Sequence, residues 1–443
     1  MGCGGDPVVV IPDAGLQAAI REALNKPQGD IYASELAWLT ELDAAHRSIQ
    51  DLSGLEYCTD LQALGLWDNQ ITDISLIANL DSLTGLTLPD NQVSDLSPLA
   101  GLTKLTQLSL AANQITDISP LASLTGLTWL GLESNQIDDI SPLTNLTSLI
   151  SLGLYANNVS NVFPLVNLTD LTFLSLGQNQ ISNIVPLANL ANLEILSLAT
   201  NQISNIAPLA NLTNLTGLGL GDNQINDISS LANLTSLTNL SIWTNQLNDI
   251  SPLAGLAGLA TLYLEDNQIS NIYPLASLTN LTTLWLEDNQ ISDVSALAGL
   301  TGLTELGLGR NQVNDISNLA NLGSLTRLTL DHNQVSNISA LSNLTNLSAI
   351  WLDSNNITDL SPLSGLTSLG EVEDDSWLDR REEIAICLGL HDNQIIDIQA
   401  LVDNEGLSVA DGIDLRGNPL GTESLGTYLP QLEERGVNVL YDT

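Results

Sequence analysis

Read as apolar and polar positions, the chain repeats a single phrase. In Leu105 to Gly126 it runs LTQLSLAANQITDISPLASLTG, with Leu105, Leu108, Leu110, Ile115, Ile118, Leu121 and Leu124 apolar and Asn113 between the two halves. The asparagine returns every 22 residues, at Asn69, Asn91, Asn113, Asn135, Asn157, Asn179, Asn201, Asn223, Asn245, Asn267, Asn289, Asn311, Asn333 and Asn355, fourteen rungs without a slip. A fixed period of this length predicts a solenoid of stacked coils. The LxxLxL run ahead of each rung is too short for a helix. Its alternation, as in Leu108 and Leu110, predicts a short strand with one buried side.

The rung has a physical reason. Where the chain leaves the strand it must turn, and its backbone groups become buried away from the strand ladder. An asparagine amide carries both donors and an acceptor, so a stack of them can pair with backbone N–H and C=O groups of successive coils. Aspartate at these positions would stack buried charge. A single coil exposes both its faces, so stability requires neighbours.

The pattern LxxLxLxxNxI followed by xDIxPLAxL resembles the leucine-rich repeat family, and in particular the 22-residue class of internalin-type bacterial surface proteins. What the resemblance implies is an α/β solenoid, a curved right-handed superhelix with a parallel sheet on its concave face and 3₁₀ or extended segments on its convex face. It also implies a role in binding proteins.

Along the chain, residues 1–12 read as a tether. Residues 13–46 read as a helical cap, with a helix start at Pro12-Asp13, Leu16, Ile20, Ala23 and Leu24 on one face, and a second helix from Ser34 burying Leu36, Trp38 and Leu39. A cap is needed to cover the first coil. The solenoid then occupies 47–420, with Arg47 where the ladder would place asparagine. Near its far end the register breaks. The rung due at position 377 is delayed to Asn393 by an acidic insertion, 370–385, that reads GEVEDDSWLDRREEIA and is expected to project from the rim as a loop. Asn418 in GIDLRGNPL forms the last rung. Residues 421–443 read as a C-terminal cap, with Leu425, Tyr428, Leu429 and Leu432 on a helix interrupted by Pro430 and a strand in VNVLY.

Composition narrows the function. Acidic residues outnumber basic ones by 51 to 10, a formal charge of −41, which argues against a nucleic-acid partner. No apolar run approaches the roughly 20 residues of a membrane helix. Of the three cysteines, Cys58 occupies a core leucine offset and Cys387 a strand offset expected to be partly exposed. Cys3, in MGCGGDP, looks like the mature start of a bacterial lipoprotein, which makes it the lipidation candidate and the sole expected link to a membrane. The three histidines, His46, His332 and His391, are far apart in sequence, and no nucleophile elbow, phosphate loop or zinc spacing occurs. No enzyme, cofactor or metal is therefore expected.

The strand offsets carry the remaining signal. Positions six, four and two residues before each rung point away from the leucine core. They make up about a tenth of the chain yet hold Trp67, Trp129, Tyr155, Phe173, Trp243, Tyr263, Trp285 and Trp351, eight of its sixteen aromatic residues. Trp and Tyr are preferred anchors of protein interfaces. Residues 22 apart are lateral neighbours, which assembles one patch from Trp243, Tyr263, Trp285, Glu265 and Glu287, extended by Trp351 and Asp353. Glu305 and Arg327 are neighbours beside it. A second patch holds Trp129, Glu133, Tyr155 and Phe173, and Gly217, Gly219 and Gly221 leave a bare strip between the two. Aromatics beside carboxylates suit a basic or amphipathic protein segment. The Asp/Asn row four residues after each rung, as in Asp73, Asp95, Asp117 and Asn161, reads as turn-capping chemistry.

The expected protein is a monomeric, extracellular or surface-bound recognition module. A structural spacer, a carbohydrate-binding protein and an intracellular scaffold resembling phosphatase regulators are the alternatives.

Overall fold

The computed structural model describes residues 6–370, 379–381, 384–409 and 411–442, so Cys3 and Trp377 lie outside the described residues. The chain forms two compact units, Met1–Gly219 and Leu220–Thr443.

In the first unit, helix Ala14–Ala23 starts at Asp13, whose Oδ1 accepts from Gly15 N at 2.9 Å and Leu16 N at 3.0 Å. Leu16, Ala19 and Ile20 are buried; Ala23, expected on that face, is exposed because the apolar stripe turns through Ala19 instead. The tether ends sooner than expected, since Val8–Val9 pairs antiparallel with Ile31–Tyr32. Helix Ala33–Ala37 buries Leu36, while Trp38 just beyond it stands exposed, a correction to the sequence reading. The ladder also begins inside the expected cap, because Glu41–Asp43 pairs parallel with Ala63–Gly65.

From there three-residue strands follow every 22 residues to Gly217–Gly219, all parallel and in register, as in Leu86↔Leu108 and Leu108↔Leu130. The central leucine of each faces inward, and short 3₁₀ turns such as Ser119–Ser123 carry the chain back. Asn113 shows the rung chemistry. Its Oδ1 accepts from Val93 N at 2.9 Å, and its Nδ2 faces Leu88 O, Leu110 O and Ala111 O at 2.9, 3.1 and 3.1 Å. One amide thus joins two successive coils.

The residue before each rung is left-handed, including Ala112 (φ 52°) and the β-branched Thr200 (φ 56°). That conformation costs roughly 1–2 kcal/mol per L-residue. It persists because the amide of that residue is held by the next coil, as in Ala112 N donating to Glu133 O at 2.8 Å.

The second unit repeats the scheme. Asn289 accepts from Ile269 N at 2.9 Å and donates to Leu264 O at 3.0 Å. Beyond Ala349–Trp351 the acidic insertion does not leave the sheet altogether. Asp379–Arg381 pairs antiparallel with Ile384–Gly389, which rejoins the parallel ladder beside Ala349–Trp351 and Gly412–Asp414. Cys387, expected to be partly exposed, is buried in that strand with its thiol donating to Gly412 O. The lengthened coil between Asn393 and Asn418 accommodates helix Gln399–Asp403 in place of a 3₁₀ turn.

The C-terminal segment runs through a π-helical turn Ser424–Tyr428 into helix Leu429–Glu434, and strand Asn438–Leu440 closes on Gly412–Asp414. Pro430, which has no N–H to donate to the preceding turn, sits where the π turn meets helix Leu429–Glu434. Leu425 is exposed, against expectation; the π turn rotates it off the buried face held by Leu429 and Leu432. No described helix is long and apolar enough to cross a membrane.

Candidate binding face of the sheet

On the outer face of the first unit the strands set three rows of side chains. One row runs Trp129, Ser151, Phe173, Ile195. The middle row is small throughout: Ser109, Gly131, Gly153, Ser175, Ser197, Gly219. The third contains Glu133 and Tyr155. Trp129 and Tyr155 are 39% and 44% exposed, Ile195 is exposed beside half-buried Phe173, and Trp67 stands exposed nearer the cap, edge-on to His46.

The glycines of the middle row are seats. A Cβ on Gly153 would collide with the Glu133 carboxylate, and one on Gly131 would meet both the Trp129 indole and Glu133. The aromatic and the acid therefore lean inward over bare backbone, giving a shallow trough with apolar flanks and one carboxylate in its wall.

The second unit gathers more of the expected residues, but it has turned them on each other. Tyr263, Trp285, Gly307, Thr329 and Trp351 are successive neighbours in one row. Arg327 lies over Trp285, 4.4 Å from its ring centroid, and faces Trp351 at 5.6 Å. The chain's own guanidinium thus occupies the cation position that the aromatic patch was expected to offer a partner.

Trp351 is only 6% exposed and Asp353 is buried, its Oδ1 accepting from His391 N at 2.8 Å. Neither extends an open surface. Trp351 is buried with the Arg327 guanidinium facing its ring, and Asp353 folds over Gly389. Trp243, Tyr263 and Trp285 are half-buried, with the Trp243 indole laid over Gly221, so the glycine strip is not bare there.

Glu287 lies over Gly307, and its Oε1 accepts from Thr329 Oγ1 at 2.7 Å. Among the described residues, Oε2 of Glu287 and of Glu265 is buried without a hydrogen-bond partner. Burial pushes both carboxyls up to about 7. Arg327 is drawn down by burial while Glu305 and Glu287 oppose that shift.

Away from the sheet, the Asp/Asn row caps the 3₁₀ turns. Asp95 Oδ1 accepts from Ser97 N at 2.8 Å and Asn161 Oδ1 from Phe163 N at 3.0 Å. Cys58 and Cys387 are buried thiols, each raised to about 12 by burial, which leaves them inert at neutral pH. No group of three or more His, Cys, Asp or Glu able to hold a metal occurs among the described residues.

Sequence reasoning missed Arg327 as the filling between two indoles and missed the glycine seats. A signal for the seats was present, since Gly153 and Gly307 each stand one coil beyond a glutamate of the neighbouring row.

A parallel ladder of coils sharing an asparagine rung defines a leucine-rich repeat solenoid with terminal caps. The family described as Leucine Rich repeats (2 copies) matches residues 81–123, 169–211, 213–255, 258–299, 279–321 and 323–369, together more than half of the chain, and the chain belongs to it. Within that family it is internalin-like. The internalin InlF of Listeria monocytogenes is 39% identical over 77% of this chain and 95% of its own, with a TM-score of 0.67. InlJ of the same organism, whose functional domain includes a cysteine ladder, is similar at 24% identity over 87% of this chain and 80% of its own, TM-score 0.73. The Arabidopsis receptor kinase HAESA, solved in complex with the peptide hormone IDA, shares the fold at 20% identity over 86% and 71%, TM-score 0.66. A comparison with curated proteins finds no match.

Proposed function

We propose that the protein is a non-enzymatic recognition module that works outside the bacterial cell and holds a protein segment on the outer face of the sheet in residues 1–219. The observation that carries this reading is the contrast between the two aromatic patches. Trp129 and Tyr155 remain open above a floor of serine and glycine, whereas Trp351 is covered and Trp285 already carries Arg327. Large aromatics exposed on adjacent coils favour a partner that covers them. A net charge of −41, with Glu133 in the trough wall, favours a basic or amphipathic segment. The internalin likeness and the peptide held by HAESA support a polypeptide ligand. The half-buried cluster of Trp243, Tyr263, Trp285, Glu265 and Glu287 is then a secondary surface. A lipid on Cys3 would tether the module to the cell, which mass spectrometry of the native N-terminus tests.

The binding reading is tested by selecting displayed peptides against the intact protein. Trp129→Ala and Tyr155→Ala are expected to weaken the selected peptides by at least about tenfold each, and Trp285→Ala by much less. Absence of any saturable peptide would point to a spacer. Equal losses at all three residues would remove the first patch from its primary place.

A further inference from the structure

The 3₁₀ side of the first unit breaks its own rule. Four and six residues after most rungs stand an acid and a serine, as in Asp95 and Ser97, Asp117 and Ser119, Asp139 and Ser141, with the serine hydroxyl bonded to the second carboxylate oxygen. Over three consecutive coils the pairs become Asn161 and Phe163, Asn183 and Val185, Asn205 and Ala207. Loss of the serine does not by itself dictate the amide, since Asp397 stays acidic beside Gln399 and Asn337 is an amide beside Ser339. Nor does it explain why the side chain is apolar. Phe163 and Val185 are 65% and 60% exposed, on adjacent 3₁₀ turns Phe163–Leu165 and Val185–Asn189, with Ala207–Asn211 next in line.

Two properties of this strip identify its occupant. It is the one run of three coils in the first unit where the acidic row is interrupted, in a chain of net charge −41. A basic partner would gain from acids there, so their removal fits a partner that is itself acidic. The strip is also graded in size: large Phe163, medium Val185, small Ala207. About a two-fold axis through Val185, Phe163 of one chain falls opposite Ala207 of the other, so large meets small on both sides.

We propose that this strip is a homotypic contact, on which a second copy of this chain docks antiparallel with Val185 on the axis. Three side chains per partner are far fewer than the 20–30 of a standard interface, so the dimer is weak and reversible. This departs from the expectation of a monomer. It also places self-association on the side opposite the proposed ligand face, leaving that face free.

Sedimentation equilibrium of the full chain over a concentration series reads the proposal. The weight-average mass is expected to climb from monomer toward dimer, more readily as salt screens the like charges. Phe163→Ser with Val185→Ser restores the residue most coils carry, so folding is retained, and it is expected to hold the chain monomeric. Tyr273→Ser, an isolated apolar residue at the same offset in the second unit, should change nothing. Ala207→Phe sets large against large and should cut association by at least about tenfold; adding Phe163→Ala to it should bring association back. A wild-type mass that stays monomeric, a double-serine variant that still dimerises, association weakened by salt, or no recovery in the size-swapped variant would each overturn the proposal.

Discussion

Replacing Asn113 by alanine removes four hydrogen bonds from one rung, and the structure ranks them. The Val93 N–H, held by Asn113 Oδ1 at 2.9 Å in the buried interior, loses its partner. An orphaned buried donor costs about 1–3 kcal/mol. The three carbonyls facing Nδ2 fare better. Leu88 O keeps Asn91 Nδ2 at 3.3 Å, Leu110 O keeps Asn135 Nδ2 at 3.0 Å, and Ala111 O keeps Asp90 N at 3.0 Å. Each of these losses is then an ordinary net hydrogen bond, about 0.5–1 kcal/mol, for a total of about 2.5–6 kcal/mol.

Asn113→Asp keeps the acceptor for Val93 but turns an oxygen toward the three carbonyls, so it is expected to cost more than alanine at neutral pH. Its carboxyl would be raised in the folded state. The penalty therefore grows as pH rises above the unfolded value of about 3.9 and fades on acidification, when the protonated group can donate. Urea midpoints of both variants against wild type, at pH 7 and near pH 4, give the stability differences; amide exchange at Val93 reports the local loss. An Asn113→Asp chain as stable as wild type at pH 7, or an alanine cost below about 1 kcal/mol with Val93 still protected, would refute the reasoning.

Trp351→Ala should destabilise the second unit by about 3–5 kcal/mol, because a buried indole packed under Arg327 is removed; thermal unfolding checks it. Glu287 has a folded pKa raised from 4.5 to about 7, so its contribution is lost as pH rises across that window; Glu287→Gln should gain stability on wild type from pH 4.5 to 7 and hold the gain above, as urea midpoints would show. Asp95, Asp139, Asp227, Asp249, Asp293 and Asp315 are lowered by hydrogen bonds from the serines they cap, so their contribution is present above the unfolded carboxylate pKa and lost as pH falls through the folded one. Changing all six to Asn should make acid unfolding less steep, read by circular dichroism across pH 5 to 2.

The period, the strand side and the amide rung were legible because each is a local consequence of spacing: Leu108 and Leu110 alternate, and Asn113 recurs. The left-handed residue before the rung was not, because Ala112, Thr200 and Arg310 carry no intrinsic preference for that backbone; the coil beside them imposes it. The partner-facing rows were legible as rows but not as exposure. Lateral neighbours follow from arithmetic, yet whether Trp285 stays open depends on where the long Arg327 side chain lies, and a rotamer is set by packing that spacing does not contain. Trp351 and Asp353 were misread for the same reason. At the ends, where the period lapses, Val8–Val9, Trp38 and Leu425 went astray because no neighbouring coil fixed their register.

The ligand is expected on the sheet of the first unit. Amide exchange of the intact protein, with and without a saturating selected peptide, measures that directly. Protection is expected on the strands through Gly131, Gly153, Ser175 and Ser197, with little change from Thr283 to Trp351. Protection confined to the second unit, or spread over the 3₁₀ turns while the first unit's strands exchange as before, would contradict it.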